Sequence, residues 1–288
     1  MANILVTGAN GQIGSEIREL SSSDTETYFF TDRETLDITN KAKVKSFIED
    51  NSIDTIINCA AYTAVDRAEE DQTSADAVNH QAVKNLAQIA KENNIKLIHV
   101  STDYVFNGQN FRPYVETDPT DPQGVYGETK LAGEKALQAT NPKNSIIIRT
   151  SWVYSSYGAN FLKTMLRLGK ERDELGVIFD QVGTPTYARD LAETILEILP
   201  KVANEQVEVY HYSNEGICSW YDFAKAIFEL SNIKCNVKPI ETKEYPTPAT
   251  RPHYSLLNKA KIKSEYSIAI PYWRESLVEC LQIMGERQ

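Results

Sequence analysis

Three glycines fall at three-residue intervals in TGANGQIGSEI, residues 7–17, directly behind the apolar run NILVT. No other feature limits the fold of this chain as strongly. A buried strand must end, turn sharply and start a helix within a few residues, and Gly8, Gly11 and Gly14 are spaced for it. One glycine permits the turn, one lets the backbone approach a pyrophosphate, and one lets the helix pack close to the sheet. Free N–H groups and the positive dipole end of the helix then face the phosphates. The spacing is GxxGxxG rather than GxGxxG, so on these residues alone a purely structural turn stays open as the alternative.

The rest of the first half repeats the alternation. TYFFT (27–31), DTIINCA (54–60), IKLIHVS (95–101) and SIIIRTSWVY (145–154) read as strands. Residues 12–20, 41–50, 75–93 and 126–140 read as helices, and Val78, Ala82, Leu86, Ile89 and Ala90 share one face of the third. Strands that are apolar throughout, separated by helices, predict an α/β architecture. It is a Rossmann-type doubly wound parallel sheet covered on both faces. After about residue 155 prolines and turn residues increase, as in DQVGTPTYARD (180–190) and EYPTPATRPHYS (244–255). The expected organisation is a dinucleotide-binding domain over 1–155. A smaller C-terminal substrate-binding lobe over 156–288 is expected to interleave with it.

Composition narrows the partners. Across 288 residues, 30 basic against 40 acidic side chains give a net charge of −10, which argues against a nucleic-acid-binding face. No apolar run is long enough to cross a bilayer, and the first residues lack the pattern of a secretory leader, so a soluble cytoplasmic protein is expected. Cys59, Cys218, Cys235 and Cys280 stand far apart with no metal-site or redox spacing. They read as small buried residues in a reducing compartment.

The second strand ends at Asp32, 18 residues after Gly14, near the distance at which an acid holds the adenine ribose of a dinucleotide. A surface aspartate is the alternative there. Arg33 pulls the other way, since a guanidinium can accept the extra phosphate of NADP. Asp37 and Ile38 are placed to flank the adenine. Further on, Tyr126 and Lys130 in YGETK are spaced i, i+4 and share a helix face. A lysine ammonium beside a phenol lowers its pKa toward the working range, and such a pair can act as general acid and base. Thr102 in STDYVF adds a hydroxyl at a strand end. His80, His99, His211 and His253 are left without a chemical role.

The order GxxGxxG, STD and Tyr126-x-x-x-Lys130 resembles the extended short-chain dehydrogenase/reductase family. The segments NCAAYTAVDRAE (58–69), STDYVFNG (101–108), YGETKLAGE (126–134), RTSWVY (149–154), DQVGTPT (180–186) and RPHYSLLN (251–258) are similar, within it, to the dTDP-4-dehydrorhamnose reductases. The resemblance runs over nearly the whole chain. It implies reduction by NADH or NADPH of the 4-keto group of dTDP-6-deoxy-L-lyxo-4-hexulose, giving dTDP-L-rhamnose. Gly11, Gln12 and Ile13 would contact the pyrophosphate, and Asp32, Asp37 and Ile38 the adenosine. Ala61, Tyr62 and Thr63 would line the cofactor beyond the third strand. Tyr126 would be the proton donor, Lys130 would hold the nicotinamide ribose and tune Tyr126, and Thr102 would hydrogen-bond the carbonyl. Asp103 and Trp152 would touch the deoxysugar, although without the resemblance Trp152 reads as core. Arg251 would clamp the diphosphate, with a surface salt bridge as the alternative.

Some relatives dimerise through magnesium held by glutamates. Glu16 matches one ligand, but Arg189 falls near another, so no metal is expected. The partner is a nucleotide sugar, with no nucleic acid or membrane, and the chain is a monomer or homodimer. Alternatives are another nucleotide-sugar 4-reductase, a 4-epimerase, or a regulatory subunit like the beta subunit of methionine adenosyltransferase. A 4,6-dehydratase is disfavoured because the residue after TD is Tyr104, where those enzymes carry an acid.

Overall fold

The computed structural model describes residues 2–286. In the first half, strands β1 (Asn3–Thr7), β2 (Thr27–Thr31), β3 (Thr55–Asn58), β4 (Lys96–Thr102) and β5 (Ser145–Thr150) alternate with helices. These are α1 (Gln12–Leu20), α2 (Lys41–Asp50), α3 (Val65–Ala68), α4 (Gln72–Asp76), α5 (Ala82–Asn93) and α6 (Val125–Thr140). The second half continues with β6 (Val153–Tyr154), α7 (Phe161–Glu171), β7 (Glu174–Ile178), β8 (Val182–Gly183), β9 (Thr186–Tyr187) and α8 (Ala188–Ile198). It ends with β10 (Glu208–His211), β11 (Cys218–Ser219), α9 (Trp220–Leu230), β12 (Asn236–Ile240), α10 (Ala260–Tyr266) and α11 (Trp273–Ile283).

The central sheet has six parallel strands in the order β10-β5-β4-β3-β1-β2. Its side chains alternate between two cores. Ile4, Val6, Ile57, Ile98, Ile146 and Ile148 pack with Ile17 of α1 and Leu191 and Ile195 of α8. Leu5, Ile56, Leu97 and Ile147 pack with Val44 of α2, Val83 and Leu86 of α5 and Leu137 of α6. Both faces are covered, so the middle residues of the strands are apolar on either side and no strict polar alternation appears. Strand order reverses between β1 and β3, and an open sheet of this kind receives ligands beyond its carboxyl edge at that point. A third core, including Leu162, Leu166, Phe223, Ile227, Trp273 and Leu277, holds the C-terminal lobe together.

Two expected elements need correction, and one strand of the sheet was not expected. The strand expected over 145–154 breaks at Ser151 and Trp152, where Trp152 takes φ of 51°. The residues beyond the break, β6, pair with β9 and leave the main sheet. The helix expected over 75–93 begins at Gln72 and passes through a π-helical segment, Ala77–Gln81. Finally, β10 lies far beyond residue 155 and yet pairs in parallel with β5 as the sixth strand. Its four residues are too short a run to stand out among the surrounding turn residues.

Candidate active site

A cavity of about 1020 Å³ runs along the carboxyl edge of the sheet. At one end the chain leaves β1 through Gly8, whose φ is 66°. A Cβ there would lie 2.7 Å from the Ala60 backbone, and a Cβ on Gly14 would lie 2.5 Å from the Gly8 carbonyl oxygen. The first glycine therefore lets β1 and β3 approach, and the last lets α1 seat on the turn. Gly11 caps α1 without offering a side-chain acceptor. The N–H groups of Gln12, Ile13 and Gly14, which lack intrahelical partners, are left for a ligand. All five residues line the cavity, and this bare amide cradle fits a dinucleotide pyrophosphate.

Asp32, Arg33, Asp37 and Ile38 also line the cavity. Asp32 is already engaged: its Oδ1 accepts from the amides of Glu34 (3.0 Å) and Thr35 (2.9 Å) and from the Thr35 hydroxyl (2.9 Å). Its Oδ2 accepts from the Asn10 amide. The Thr35 amide is the largest influence holding this carboxyl below its usual range. Asp32 thus shapes the turn that carries Arg33, beyond any contact with ribose. Asp37 is tied in the same way to Thr39, through the amide (3.0 Å) and hydroxyl (2.7 Å).

Beyond β3, Ala61, Tyr62 and Thr63 line the middle of the cavity. Asn79, buried in the π-helical segment, holds Tyr62 by both backbone groups, accepting from its N–H (2.8 Å) and donating to its carbonyl (3.1 Å). It also donates to the Thr129 hydroxyl at 3.2 Å. One side chain thereby fixes the β3 loop against α6. Sequence reasoning missed it, although π segments recur at functional sites.

At the far end Thr102, Asp103, Tyr126, Lys130 and Trp152 come together on the same cavity. The Thr102 hydroxyl donates to Asp103 Oδ1 (3.0 Å) and accepts from the Tyr104 amide (3.2 Å). Burial pushes the Asp103 carboxyl up to about 6, and its Oδ2 has no partner. Lys130 Nζ donates to the Val100 carbonyl at 2.7 Å. Burial pushes Lys130 down to about 8, opposed by Glu134 one turn along the helix. Tyr126 differs from expectation. Burial pushes its phenol up to about 12, against a smaller lowering influence of the nearby Thr102 hydroxyl, and the lysine does not lower it. Desolvation is the largest influence on it. The phenol therefore keeps its proton at neutral pH.

Behind Lys130, Glu134 forms a buried two-pronged pair with Arg149, with Arg149 Nη2 to Glu134 Oε2 at 2.7 Å and Nε to Oε1 at 3.0 Å. Arg251 is absent from the cavity lining. It donates instead to Asp66 at 2.7 Å, which is the salt-bridge alternative. Cavity-lining residues that motif reasoning left out include Asn10, Thr150, Gly158 and Ala159. Thr150 was within reach, since it ends β5 at the edge where ligands gather. Outside the site, Arg189 lies among Glu16 (3.4 Å), Glu19 (2.9 Å), Glu193 (3.7 Å) and Glu279 (3.7 Å).

Among known proteins, the model of a family described as the RmlD substrate binding domain matches residues 1–285. A dTDP-4-dehydrorhamnose reductase of Aggregatibacter actinomycetemcomitans is 44% identical, the match covering 96% of this chain and 97% of that protein. Two crystal structures are similar. A dTDP-4-dehydrorhamnose reductase of Clostridium acetobutylicum is 43% identical with a TM-score of 0.94, covering 98% of this chain and 99% of that one. One of Bacillus anthracis in complex with NADP is 38% identical with a TM-score of 0.93, covering 98% and 100%.

Proposed function

The chain belongs to the RmlD substrate-binding-domain family, and from that premise we propose that it reduces the 4-keto group of dTDP-6-deoxy-L-lyxo-4-hexulose to give dTDP-L-rhamnose, using NADPH or NADH. The observation that carries this reading is one continuous cavity reaching from the glycine turn to Thr102, Tyr126, Lys130 and Trp152. The reduced nicotinamide supplies the hydride when bound. Tyr126 is the proton donor, releasing its phenolic proton to the sugar oxygen. Thr102 polarises the carbonyl by hydrogen bonding, which requires its single proton to turn away from Asp103. Lys130 holds the nicotinamide ribose and adds positive charge in a dry site. Asp103 and Trp152 meet the deoxysugar. Gly11, Gln12 and Ile13 meet the pyrophosphate, and Arg33 favours the phosphate of NADPH.

Residues 1–155 are the main cofactor-binding domain, and 156–288 mainly select the sugar. Gly158, on the cavity wall beside Gln12, brings the second half to the pyrophosphate end as well, in keeping with interleaving of the two parts. Tyr104 stands where a dehydratase needs a carboxylate, which favours simple reduction. No helix of the described residues is long and apolar enough to cross a membrane. The four cysteines are unpaired, in keeping with a cytoplasmic protein, and the chain is taken as a monomer or homodimer. The test is to generate the keto sugar enzymatically, add the chain with NADPH or NADH, and identify the product by NMR. Cofactor oxidation with formation of dTDP-L-rhamnose is expected. No oxidation with either nucleotide would sink the reading and promote a regulatory subunit. A product of opposite C4 configuration would keep the reductase and reject rhamnose.

A further inference from the structure

Seven non-glycine residues among those described have positive φ, and six are asparagine or serine, small polar residues that tolerate this region. The seventh is Trp152, at 51°. A bulky side chain held this way, on a cavity wall, calls for an account of what holds it. Its carbonyl accepts from the Thr186 amide at 3.2 Å, and its neighbour Ser151 donates to the Thr184 carbonyl at 3.1 Å. The indole stacks on that of Trp220, with centroids 3.6 Å apart and planes 12° from parallel. Gly183 leaves room for it, since a Cβ there would lie 2.9 Å from Trp152 Cε2.

Trp220 does not line the cavity. It opens α9, whose start is fixed by the reciprocal cap between Ser219 and Asp222. Ser219 in turn pairs with Val182, next to Gly183. The ring of Phe161, the first residue of α7, lies 4.6 Å from Trp220 and stacks on Phe223. An aromatic tier therefore runs from the cavity wall into the core of the C-terminal lobe.

We propose that Trp220 is a positioning residue for the sugar end of the cavity. By stacking on Trp152 it fixes that indole as a flat apolar wall for the C–H face of a deoxysugar, leaving the hydroxyls to polar groups such as Asp103. The inference rests on the reductase reading above. It adds that sugar affinity is set partly from the lobe core, by a residue that touches neither substrate nor cofactor.

The test compares the full-length chain with Trp220→Ala and Trp220→Phe, using enzymatically generated keto sugar and saturating NADPH. In Trp220→Ala, KM for the sugar should rise about tenfold, the order expected for losing an aromatic stack, with kcat within about twofold. NADPH affinity should be unchanged, and Trp220→Phe should recover most of the KM. An unchanged KM in Trp220→Ala, or a parallel loss of NADPH affinity, overturns the proposal. Should Trp220→Ala fail to fold, circular dichroism of the unaltered chain decides. The stacked pair should give an exciton couplet that Trp273→Phe retains, Trp152→Phe and Trp220→Phe abolish, and saturating dTDP-L-rhamnose alters. A couplet indifferent to that sugar overturns the proposal. Absence of turnover by the unaltered chain strikes the reductase reading itself, and this inference falls with it.

Discussion

Tyr126 and Lys130 stand one helical turn apart, and burial moves their proton affinities in opposite directions, to about 12 and about 8. At neutral pH both carry a proton, which suits the proposed role of the phenol as donor. Replacing Tyr126 by Phe keeps the ring and its edge-on contact with Tyr104 while deleting the proton. Turnover should fall at least roughly 10²-fold, the usual lower range for a lost general acid, with NADPH affinity unchanged by titration. Near-native turnover would remove Tyr126 from the chemistry. These residues were legible because their relation is local: a helical repeat and a strand end. The partners of Asp32 and Arg251 were not. Spacing places Asp32 on the cavity, but only the folded turn reveals that Thr35, Glu34 and Asn10 occupy its oxygens. Arg251 finds Asp66 across 185 positions of chain, a pairing that no local pattern announces.

Between elements, Arg189 at the start of α8 reaches Glu16 and Glu19 on α1, Glu193 on its own helix and Glu279 on α11. Glu16 is almost fully buried, and burial is the largest cause raising its proton affinity, ahead of the lowering influences of Ser155 and Arg189. A raised carboxyl binds protons more readily folded than unfolded, so its contribution to stability falls as pH rises above the unfolded value of 4.5. Without Arg189 that pKa should rise further, and repulsion should be greatest at neutral pH. Arg189→Ala is therefore expected to cost roughly 2–4 kcal/mol at pH 7.5, as for a largely buried pair that loses one partner. In denaturant unfolding the gap from the unaltered chain should narrow as the pH is lowered from 7.5 to 5, because a carboxyl held above its usual range takes up protons earlier on acidification. An equal gap at both pH values would show that the carboxylates do not depend on Arg189. Helix α1 was read correctly end to end from its apolar spacing. Its charged neighbours come from helices more than 160 residues later and left no mark on that spacing.

For the molecule as a whole, the parallel sheet was legible because each of its first five strands is an apolar run between helical segments. The sixth was not. Strand β10 has only four residues, and its place beside β5 follows from α8 packing on the same face as α1. A chain ending at residue 155 would leave the outer edge of β5 bare and the α1 side uncovered by α8. Such a fragment is expected to show no measurable NADPH binding by fluorescence titration, whereas the full chain binds. Tight binding by the fragment would mean that the first five strands suffice. The position of β10 also bears on how this protein can exchange parts with others. The cofactor half cannot be excised as a cassette by a single cut, since one of its strands is encoded some fifty codons beyond the apparent boundary. Recombination at that boundary should yield chimaeras with an open sheet edge, so cofactor half and sugar lobe are expected to be inherited together.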